Sequence, residues 1–374
     1  MKPKILFISN VDWFFVSHRL PIALKAISNG YEVHIATKLT GKHRELENNG
    51  IVVHSLEIDR TTMSTLDSIN TFIQIIFLIY KIKPNIVHSI TIKPVILGGI
   101  ACRIYGRCQF VASVSGLGYV FIAKGYIAKL TRILITFLYK IALSSDNVKV
   151  IFQNKNDLQI VSRICKLTSN NIILINGSGI DLSIYKYKKN LINSNTILFA
   201  SRLLISKGLM EFVATARDFQ DANCKFVIAG KIDIENPDCV SEEEMRSWAS
   251  IPSVEYVGQI EDVKELIYQS KIVVLPSYYG EGLPKILIEA AACGRPIITT
   301  DHPGCRDAII PEKTGLLIPV RDSFALSNAI KKLLDSPELC YQMGKAGREL
   351  AIRRYDINIV IQQHMKIYEE IIKS

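Results

Sequence analysis

The sequence lacks several features that would assign it to another class of protein. No apolar run reaches the ~18–20 residues that a membrane-spanning helix needs, because the candidates at 72–80 and 119–143 are short or are interrupted by Lys and Arg. The eight cysteines form no CxxC pair, and no His/Cys cluster has zinc spacing, so we expect neither a disulfide framework nor a metal site. The apolar stretch Ile5–Ile8 near the N-terminus is too short for the core of a signal peptide and is soon followed by Asp12. We therefore expect a cytoplasmic protein, and its 374 residues favour two domains.

Acidic residues are absent from one long segment. Between Ser68 and Ser145 there is no Asp or Glu but there are nine Lys or Arg residues, while the whole chain carries a net charge of +10. Because this segment is also strongly apolar, it suits an anionic membrane surface better than a nucleic-acid groove. An ordinary solvated basic face is the alternative interpretation.

Short apolar runs alternate with helical patterns along most of the chain. This alternation is typical of βαβ units with a parallel sheet covered on both faces. It predicts two Rossmann-like α/β domains that face each other across a cleft, with ligands at the carboxyl ends of the strands.

We place the linker in the polar, basic stretch 185–194. The predicted domains are 1–187, 188–355 and a C-terminal helix, 356–374, that packs back on the first domain. The predicted strands are 4–9, 31–36, 51–56, 85–90, 109–115, 149–153 and 171–175, then 196–200, 225–229, 254–257, 272–276, 296–300 and 315–319.

Two cations follow the first strand of the second domain. Ser201 and Arg202 follow the strand 196–200, and Lys207 stands just before Gly208 and a predicted helix. Cations beside a helix N-terminus suit a diphosphate, because the helix dipole and backbone amides add to the same field. A surface Arg and a solvated Lys are the alternative.

A glycine-containing loop with two glutamates follows the strand 272–276. Glu281 lies where the loop enters the helix, and Glu289 lies eight residues later among Ile, Leu and Ala. Glycines let backbone amides approach a phosphate, and a carboxylate can bind sugar hydroxyls. A buried Glu is costly without a partner, so a ligand hydroxyl is a reasonable one for Glu289. Taken alone, Glu281 is also compatible with a helix-capping acid.

The segments FASRLLISKG, LPSYYGEGLPKILIEAAACGRPIITTD and GCRDAI resemble the retaining glycosyltransferases of family 4, which have the GT-B fold. The resemblance covers nearly the whole chain and is densest at 195–319. It implies that Arg202 and Lys207 hold the donor diphosphate and that Glu281 contacts the transferred sugar. It further implies that the amides of Gly282 and Leu283 approach the phosphate and that Glu289 binds the ribose.

Cleavage of the anomeric C–O bond leaves negative charge on a diphosphate, and preplaced cations stabilise that charge most in the transition state. The family implies a front-face mechanism, in which the leaving phosphate takes the acceptor proton. It also implies no metal and no other cofactor, and we see no DxD-type or His-rich segment.

The first domain is predicted to bind the acceptor. The segment 10–21, interpreted as a loop, offers aromatic residues and Arg19, although a packed entry to the first helix is equally compatible. His88, at the end of a strand, is expected to pack in the core. Lys93, just beyond it, is the better candidate for a phosphate ligand. Ser115 and Gly116 follow a strand at a glycine-rich turn. Many family members have His at the position of Ser115, so a catalytic imidazole is in doubt here. The turn's backbone, Gly116 included, remains a candidate for contact with the donor sugar or the acceptor.

The helix predicted at 126–143 carries Lys129, Arg132 and Lys140 within ~80° of arc, with apolar residues elsewhere. Such a helix can lie in a membrane interface. A core helix with one solvated stripe is the alternative.

The segments NVDWFFVSHRLP, SGLGYVF and GKIDIENP resemble a subgroup that builds undecaprenyl-diphosphate-linked oligosaccharides and includes α-1,3-N-acetylgalactosaminyltransferases. The resemblance implies transfer of a HexNAc or hexose, from a UDP-sugar such as UDP-GalNAc, to a lipid-diphosphate saccharide for O-antigen, capsule or glycoprotein glycan. The enzyme would be peripheral on the inner face of the cytoplasmic membrane and would not bind nucleic acid. Two alternatives stay open: an epimerase or soluble-acceptor transferase of the same fold, and a non-enzymatic basic binder.

Overall fold

The computed structural model describes residues 2–59, 65–118, 125–145, 147–189, 195–219, 223–234 and 236–373. The chain forms two compact units. The first comprises Met1–Ser178, Gly280–Gly282 and Ile357–Ser374, and the second comprises Gly179–Tyr279 and Leu283–Asp356.

The change of unit lies between Ser178 and Gly179, earlier than the 187/188 boundary suggested by composition. Ile180 explains the difference, because its side chain is buried in the core of the second unit and its amide donates to Tyr355 O at 2.7 Å. Residues 190–194 of the predicted linker lie outside the described residues.

The first unit contains a parallel sheet in the order β3-β2-β1-β4-β5-β6-β7. The seven strands predicted for this domain are confirmed, with ends that differ by one or two residues. They are β1 (Lys4–Val11), β2 (Glu32–Lys38), β3 (Val52–Ser55), β4 (Ile86–Ile90), β5 (Gln109–Val114), β6 (Val148–Phe152) and β7 (Ile172–Leu174). Its helices are α1 (Asp12–Ser28), α2 (His43–Asn48), α3 (Thr65–Ile82), α4 (Ile92–Tyr105), α5 (Tyr126–Leu143), α6 (Lys155–Cys165) and the C-terminal helix (Ile357–Lys373).

Helix α1 corrects the prediction of a loop at 10–21. The helix begins at Asp12 and continues through Pro21. Its buried residues recur at helical spacing, which the interpretation as a loop overlooked. Arg19 belongs to this buried face and is only 1% exposed, so it does not lie at the surface where an acceptor would bind.

A buried polar network joins the C-terminal helix to the sheet of the first unit. His88 on β4 bonds through Nδ1 to the hydroxyl of Tyr368 (2.6 Å) and through Nε2 to Ser113 Oγ (2.7 Å). His364 stacks on His88 with ring centroids 5.9 Å apart. Burial lowers the pKa of Arg19 to about 10 and that of His364 to about 3, and it also holds the pKa of His88 well below its usual range. His88 is thus a packing residue, as its pattern suggested.

The two neutral histidines predict a loss of stability in mild acid. Because the folded-state pKa of each lies below 6.5, the unfolded chain binds the proton first, so stability is present above pH 6.5 and is lost as pH falls. At pH 5 we expect His364 to cost about 2 kcal/mol, from ~1.4 kcal/mol for each pH unit below 6.5, and His88 to act in the same direction. Urea unfolding of His364→Leu at pH 7 and pH 5 should show a smaller difference than the parent chain. An equal difference would contradict the assignment.

The second unit contains a parallel sheet in the order β10-β9-β8-β11-β12-β13. The six predicted strands are confirmed as β8 (Thr196–Ala200), β9 (Lys225–Ala229), β10 (Val254–Gly258), β11 (Ile272–Leu275), β12 (Ile297–Thr300) and β13 (Gly315–Ile318). The helical patterns that the sequence shows at 209–219, 285–292 and 323–334 are present as α7 (Leu209–Arg217), α10 (Lys285–Ala292) and α11 (Ser323–Leu334). The sequence did not indicate α8 (Glu242–Ala249), α9 (Lys264–Gln269) or α12 (Pro337–Arg354).

Candidate functional site

Arg202 and Lys207 lie at the carboxyl end of β8, as predicted. Arg202 follows the strand, and Lys207 ends the 3₁₀ turn Ile205–Lys207 that leads into α7. Both cations lie near the ring of Tyr279, at 5.6 Å for the guanidinium carbon and 5.3 Å for Nζ, measured to the ring centroid. The fold therefore concentrates two positive charges around one aromatic ring in the second unit.

An acid that the sequence did not indicate holds Arg202. Asp233 Oδ2 accepts from Arg202 Nη1 at 2.8 Å, and the Arg202 side chain is 31% exposed. Burial lowers the pKa of Arg202, but Tyr279 and Asp233 outweigh it, so the pKa is raised overall. The guanidinium thus stays fully charged at the site.

Gly208 brings two strand ends close together. It adopts φ +80°, and a Cβ added there would lie 2.2 Å from the carbonyl oxygen of Pro276, which follows β11. Both the left-handed backbone conformation and the short distance to Pro276 disfavour any side chain at this position. The structure therefore requires glycine at the start of α7.

Glu289 has partners within its own unit. It is buried on α10, its Oε1 accepts from the Tyr185 hydroxyl at 3.0 Å, and Lys285 Nζ lies 3.8 Å away. Burial raises the pKa of Glu289, against the influence of Lys285 and Tyr185. Glu289 therefore has protein partners without a ligand hydroxyl, and its role in binding ribose stays a prediction.

The segment Gly280–Gly282, which contains Glu281, belongs to the first unit. The amide of Gly282 donates to Ser115 O at 3.1 Å, and that of Gly118 donates to Gly280 O at 2.6 Å. Gly116 has φ +109°, and a Cβ there would lie 2.5 Å from Glu281 Cα. The structure thus brings together four of the predicted residues: Ser115, Gly116, Glu281 and Gly282.

One of these contacts concerns a backbone amide with a predicted role. The Gly282 amide donates to Ser115 O, and its contact with a phosphate stays a prediction. The Leu283 side chain is buried in the core of the second unit, and the role of its amide stays a prediction. Asn154, which the sequence analysis missed, caps α6 and also donates to Gly282 O at 3.3 Å.

Three polar side chains lie at the carboxyl edge of adjacent strands in the first unit. Asn10 lies at the end of β1, Thr91 follows β4 and Ser115 follows β5. Asn10 Oδ1, Thr91 Oγ1 and Ser115 Oγ are each buried without a hydrogen-bond partner among the described residues. Thr91 also has φ 75°, which is rare for a β-branched residue. Unpaired buried polar atoms and backbone strain are typical of functional sites, so this edge is a candidate binding surface.

Lys93 lies in the first turn of α4, near this edge. Its Nζ donates to Asp59 O at 3.2 Å. Burial lowers the pKa of Lys93, and Asp59 and Asp67 oppose that shift. A phosphate role for Lys93 stays a prediction.

Helices α3 and α5 expose apolar side chains on the face of the sheet that they share with α4. Lys129 and Lys140 of α5 are exposed and Arg132 is half-buried. The buried residues of α5 are Ile135, Tyr139, Ala142 and Leu143, in its later part, and they join the core of the first unit. The exposed apolar residues are Leu66, Ile69, Ile73, Phe77 and Tyr80 of α3, and Tyr126, Ile127, Leu130, Ile133, Leu134 and Phe137 of α5. No helix in the described part of the chain combines the length and apolar character needed to cross a bilayer.

Two Rossmann-like domains with these strand orders define the GT-B class, and comparison with known structures agrees. The chain is similar to sucrose-phosphate synthase from Thermosynechococcus elongatus, with a TM-score of 0.81 and 20% identity over 100% of both chains.

The family follows from the sequence comparisons. Residues 4–154 match the model described as "Glycosyl transferase 4-like", and residues 185–350 match "Glycosyl transferases group 1". Because these two matches together span most of the chain, it belongs to the glycosyltransferases built from these domains.

Two curated relatives are similar over nearly the whole chain. One is the N,N'-diacetylbacillosaminyl-diphospho-undecaprenol alpha-1,3-N-acetylgalactosaminyltransferase of Campylobacter jejuni, 29% identical over 99% of this chain and 100% of the relative. The other is the capsular polysaccharide biosynthesis glycosyltransferase CapM of Staphylococcus aureus, 23% identical over 92% and 91%.

Proposed function

We propose that this glycosyltransferase moves a HexNAc or hexose, from a UDP-sugar such as UDP-GalNAc, to an undecaprenyl-diphosphate-linked saccharide with retention of configuration. The observation that carries the proposal is the pair of cations, Arg202 and Lys207, around Tyr279 at the carboxyl end of β8. A diphosphate leaving group gains negative charge as the anomeric bond breaks. Two preplaced cations stabilise it more in the transition state than in the ground state.

The proposed mechanism is front-face and needs no metal ion or other cofactor. The leaving phosphate oxygen takes the proton of the acceptor hydroxyl as the new glycosidic bond forms on the same face. Arg202 and Lys207 hold the diphosphate, Glu281 contacts the transferred sugar and Glu289 binds the ribose. These roles follow the family resemblance.

The proposed acceptor site is the carboxyl edge of β1, β4 and β5. The unpaired polar atoms of Asn10, Thr91 and Ser115 support it, since a saccharide offers hydroxyl groups to each of them. Lys93, at the start of α4, is the proposed contact for the lipid diphosphate. The Campylobacter relative supports the acceptor class, because its name specifies an undecaprenol-diphosphate-linked sugar.

The protein is proposed to work as a peripheral protein on the inner face of the cytoplasmic membrane. The exposed apolar side chains of α3 and α5 offer a surface to the acyl boundary, and Lys129, Arg132 and Lys140 offer charge to anionic headgroups. The absence of Asp and Glu from 68–145 removes the acidic side chains that would repel such headgroups.

Vesicle binding tests the membrane surface. Ile127→Asp or Phe77→Asp should lower partitioning onto phosphatidylglycerol vesicles by about 10-fold or more, because each change removes a large exposed apolar group from the contact. The matched control is Phe324→Asp, since Phe324 is 75% exposed in the second unit and Ile127 is 80% exposed. Sedimentation with vesicles at two salt concentrations measures the effect. Equal binding by all three variants, or equal binding to neutral vesicles, would contradict the proposal.

The function itself is tested by product mass spectrometry. The purified protein is incubated with a polyprenyl-diphosphate-linked HexNAc and a panel of UDP- and GDP-sugars. A mass gain of one HexNAc or hexose, with one donor, is the expected result, and product NMR gives the anomeric configuration.

The two alternatives predict different outcomes in the same assay. Transfer to a lipid-free saccharide, or a changed sugar without transfer, would favour the soluble-acceptor transferase or the epimerase. No turnover and no change in melting temperature with UDP or GDP would favour a non-enzymatic binder, because a ligand of the folded state raises that temperature.

A further inference from the structure

We infer that Asp233 is a positioning residue for the donor diphosphate and that Asp238 supports it from the same segment. The inference rests on the proposed function, since it concerns how the cations of that site are held. Neither acid was indicated by the sequence, and both lie in the second unit with Arg202 and Lys207.

Asp233 fixes one side of the cation pair. Its carboxylate accepts from Arg202 Nη1 at 2.8 Å, while the ring of Tyr279 lies near the same guanidinium. A guanidinium has five N–H donors in a rigid fork, so one carboxylate oxygen occupies only part of it. Asp233 therefore orients Arg202 without using all of its donors.

Asp238 fixes the turn between the two cations. Its Oδ2 accepts from the Ser206 amide at 2.9 Å and also from the Ser206 hydroxyl. Its carbonyl oxygen accepts from the Ile205 amide at 2.8 Å. Since Lys207 is the next residue along this turn, Asp238 determines where its backbone lies.

The backbone of the same segment runs beside the strand end that carries the cations. Leu203 N donates to Lys231 O at 3.1 Å, and Val240 N donates to Leu203 O at 3.2 Å. Residues Lys231 and Val240 are therefore both bonded to Leu203. Between them, Asp233 accepts from Arg202 and Asp238 accepts from Ser206, which precedes Lys207.

The charge of Asp233 has opposite effects on binding and on catalysis. Two cations attract a diphosphate in the ground state, and a carboxylate beside them weakens that attraction. The same carboxylate holds the guanidinium in one orientation, which matters most when charge develops on the leaving group. Loss of the charge should therefore lower kcat without weakening nucleotide binding. A purely structural role would lower the melting temperature and affect both quantities in the same direction.

The test separates kcat from affinity. Asp233→Asn should lower kcat about 10-fold or more, while the Kd for UDP, measured by calorimetry, stays equal or becomes tighter. Asp233→Glu, which keeps the carboxylate, should recover part of kcat. The matched control is Glu255→Gln. Glu255 pairs with Lys225 at 2.6 Å, and Lys225 begins β9, at the end of the sheet opposite to the carboxyl ends of the strands. In this variant, kcat and the Kd for UDP should both be unchanged.

An unchanged kcat in Asp233→Asn, or weaker UDP binding with kcat intact, would overturn the inference. If Asp233→Asn does not fold, the same measurements are made on Asp238→Asn. The same loss of kcat is expected, and an unchanged kcat or weaker UDP binding with kcat intact would overturn the inference. Arg202→Ala distinguishes failure of the proposed donor site from failure of the positioning role of Asp233. If Arg202→Ala retains transfer, the proposed donor site has failed, whereas loss of transfer in Arg202→Ala with full activity in Asp233→Asn refutes only the positioning role.

Discussion

Replacing Arg202 or Lys207 by alanine is expected to lower kcat by about 10²–10³, the effect of removing one donor that stabilises transition-state charge. Both side chains lie near the ring of Tyr279 at the end of β8, where a diphosphate would meet them together. Arg202→Lys should recover only part of the rate, because an ammonium lacks the fork that bonds to Asp233 and a phosphate at once. Initial rates of transfer at saturating donor measure the loss.

The matched control for these variants is Lys225→Ala. Lys225 is a cation of the same unit. It lies on β9 and forms an ion pair with Glu255 on the neighbouring strand β10. Its loss changes the net charge of the chain equally and should leave kcat unchanged. If Arg202→Ala keeps more than about a third of the parent rate, the electrostatic role assigned to it is wrong.

Gly208→Ala is expected to destabilise the second unit by about 2–5 kcal/mol. The estimate adds ~1–2 kcal/mol for a left-handed residue with a Cβ to ~1–3 kcal/mol for a forced backbone shift. The shift is needed because the new Cβ would lie 2.2 Å from Pro276 O. Any folded variant should also lose transfer, since Lys207 is the preceding residue and would move with the turn.

The two tryptophans make this measurement specific, because Trp13 lies in the first unit and Trp248 in the second. In a Trp13→Phe background, unfolding in urea followed by fluorescence reports only on the second unit. Gly258→Ala is the control, because Gly258 has a similar φ of +73° but nothing within 4 Å of an added Cβ. It should cost only the dihedral part, ~1–2 kcal/mol. Equal losses in the two variants would show that the contact with Pro276 is unimportant.

The sequence by itself determined the strands and the positions of several residues of the proposed donor site. Buried parallel strands are continuous apolar runs, so β8 and β9 could be placed at their observed bounds from the pattern alone. Arg202 and Lys207 could be placed because the role proposed for them depends on position next to a strand end, which is a local property. Helix α10 and Glu289 could be placed for the same reason.

Only the tertiary structure decided which groups meet across long sequence separations. Asp233 pairs with Arg202 from 31 residues away, and Tyr185 reaches Glu289 from 104 residues away. A sequence pattern repeats over a few residues and carries no information on such pairs, so Tyr185 as a partner of Glu289 and Asp233 as a partner of Arg202 were both missed.

Exposure was also decided by tertiary packing. The apolar stripes of α3 and α5 match those of core helices in composition, and the structure leaves many of their side chains at the surface. Arg19 shows the reverse, since a cation predicted at a surface loop lies buried on α1. Amphipathic periodicity tells which residues share a face of a helix, but whether that face meets the core depends on what packs against it.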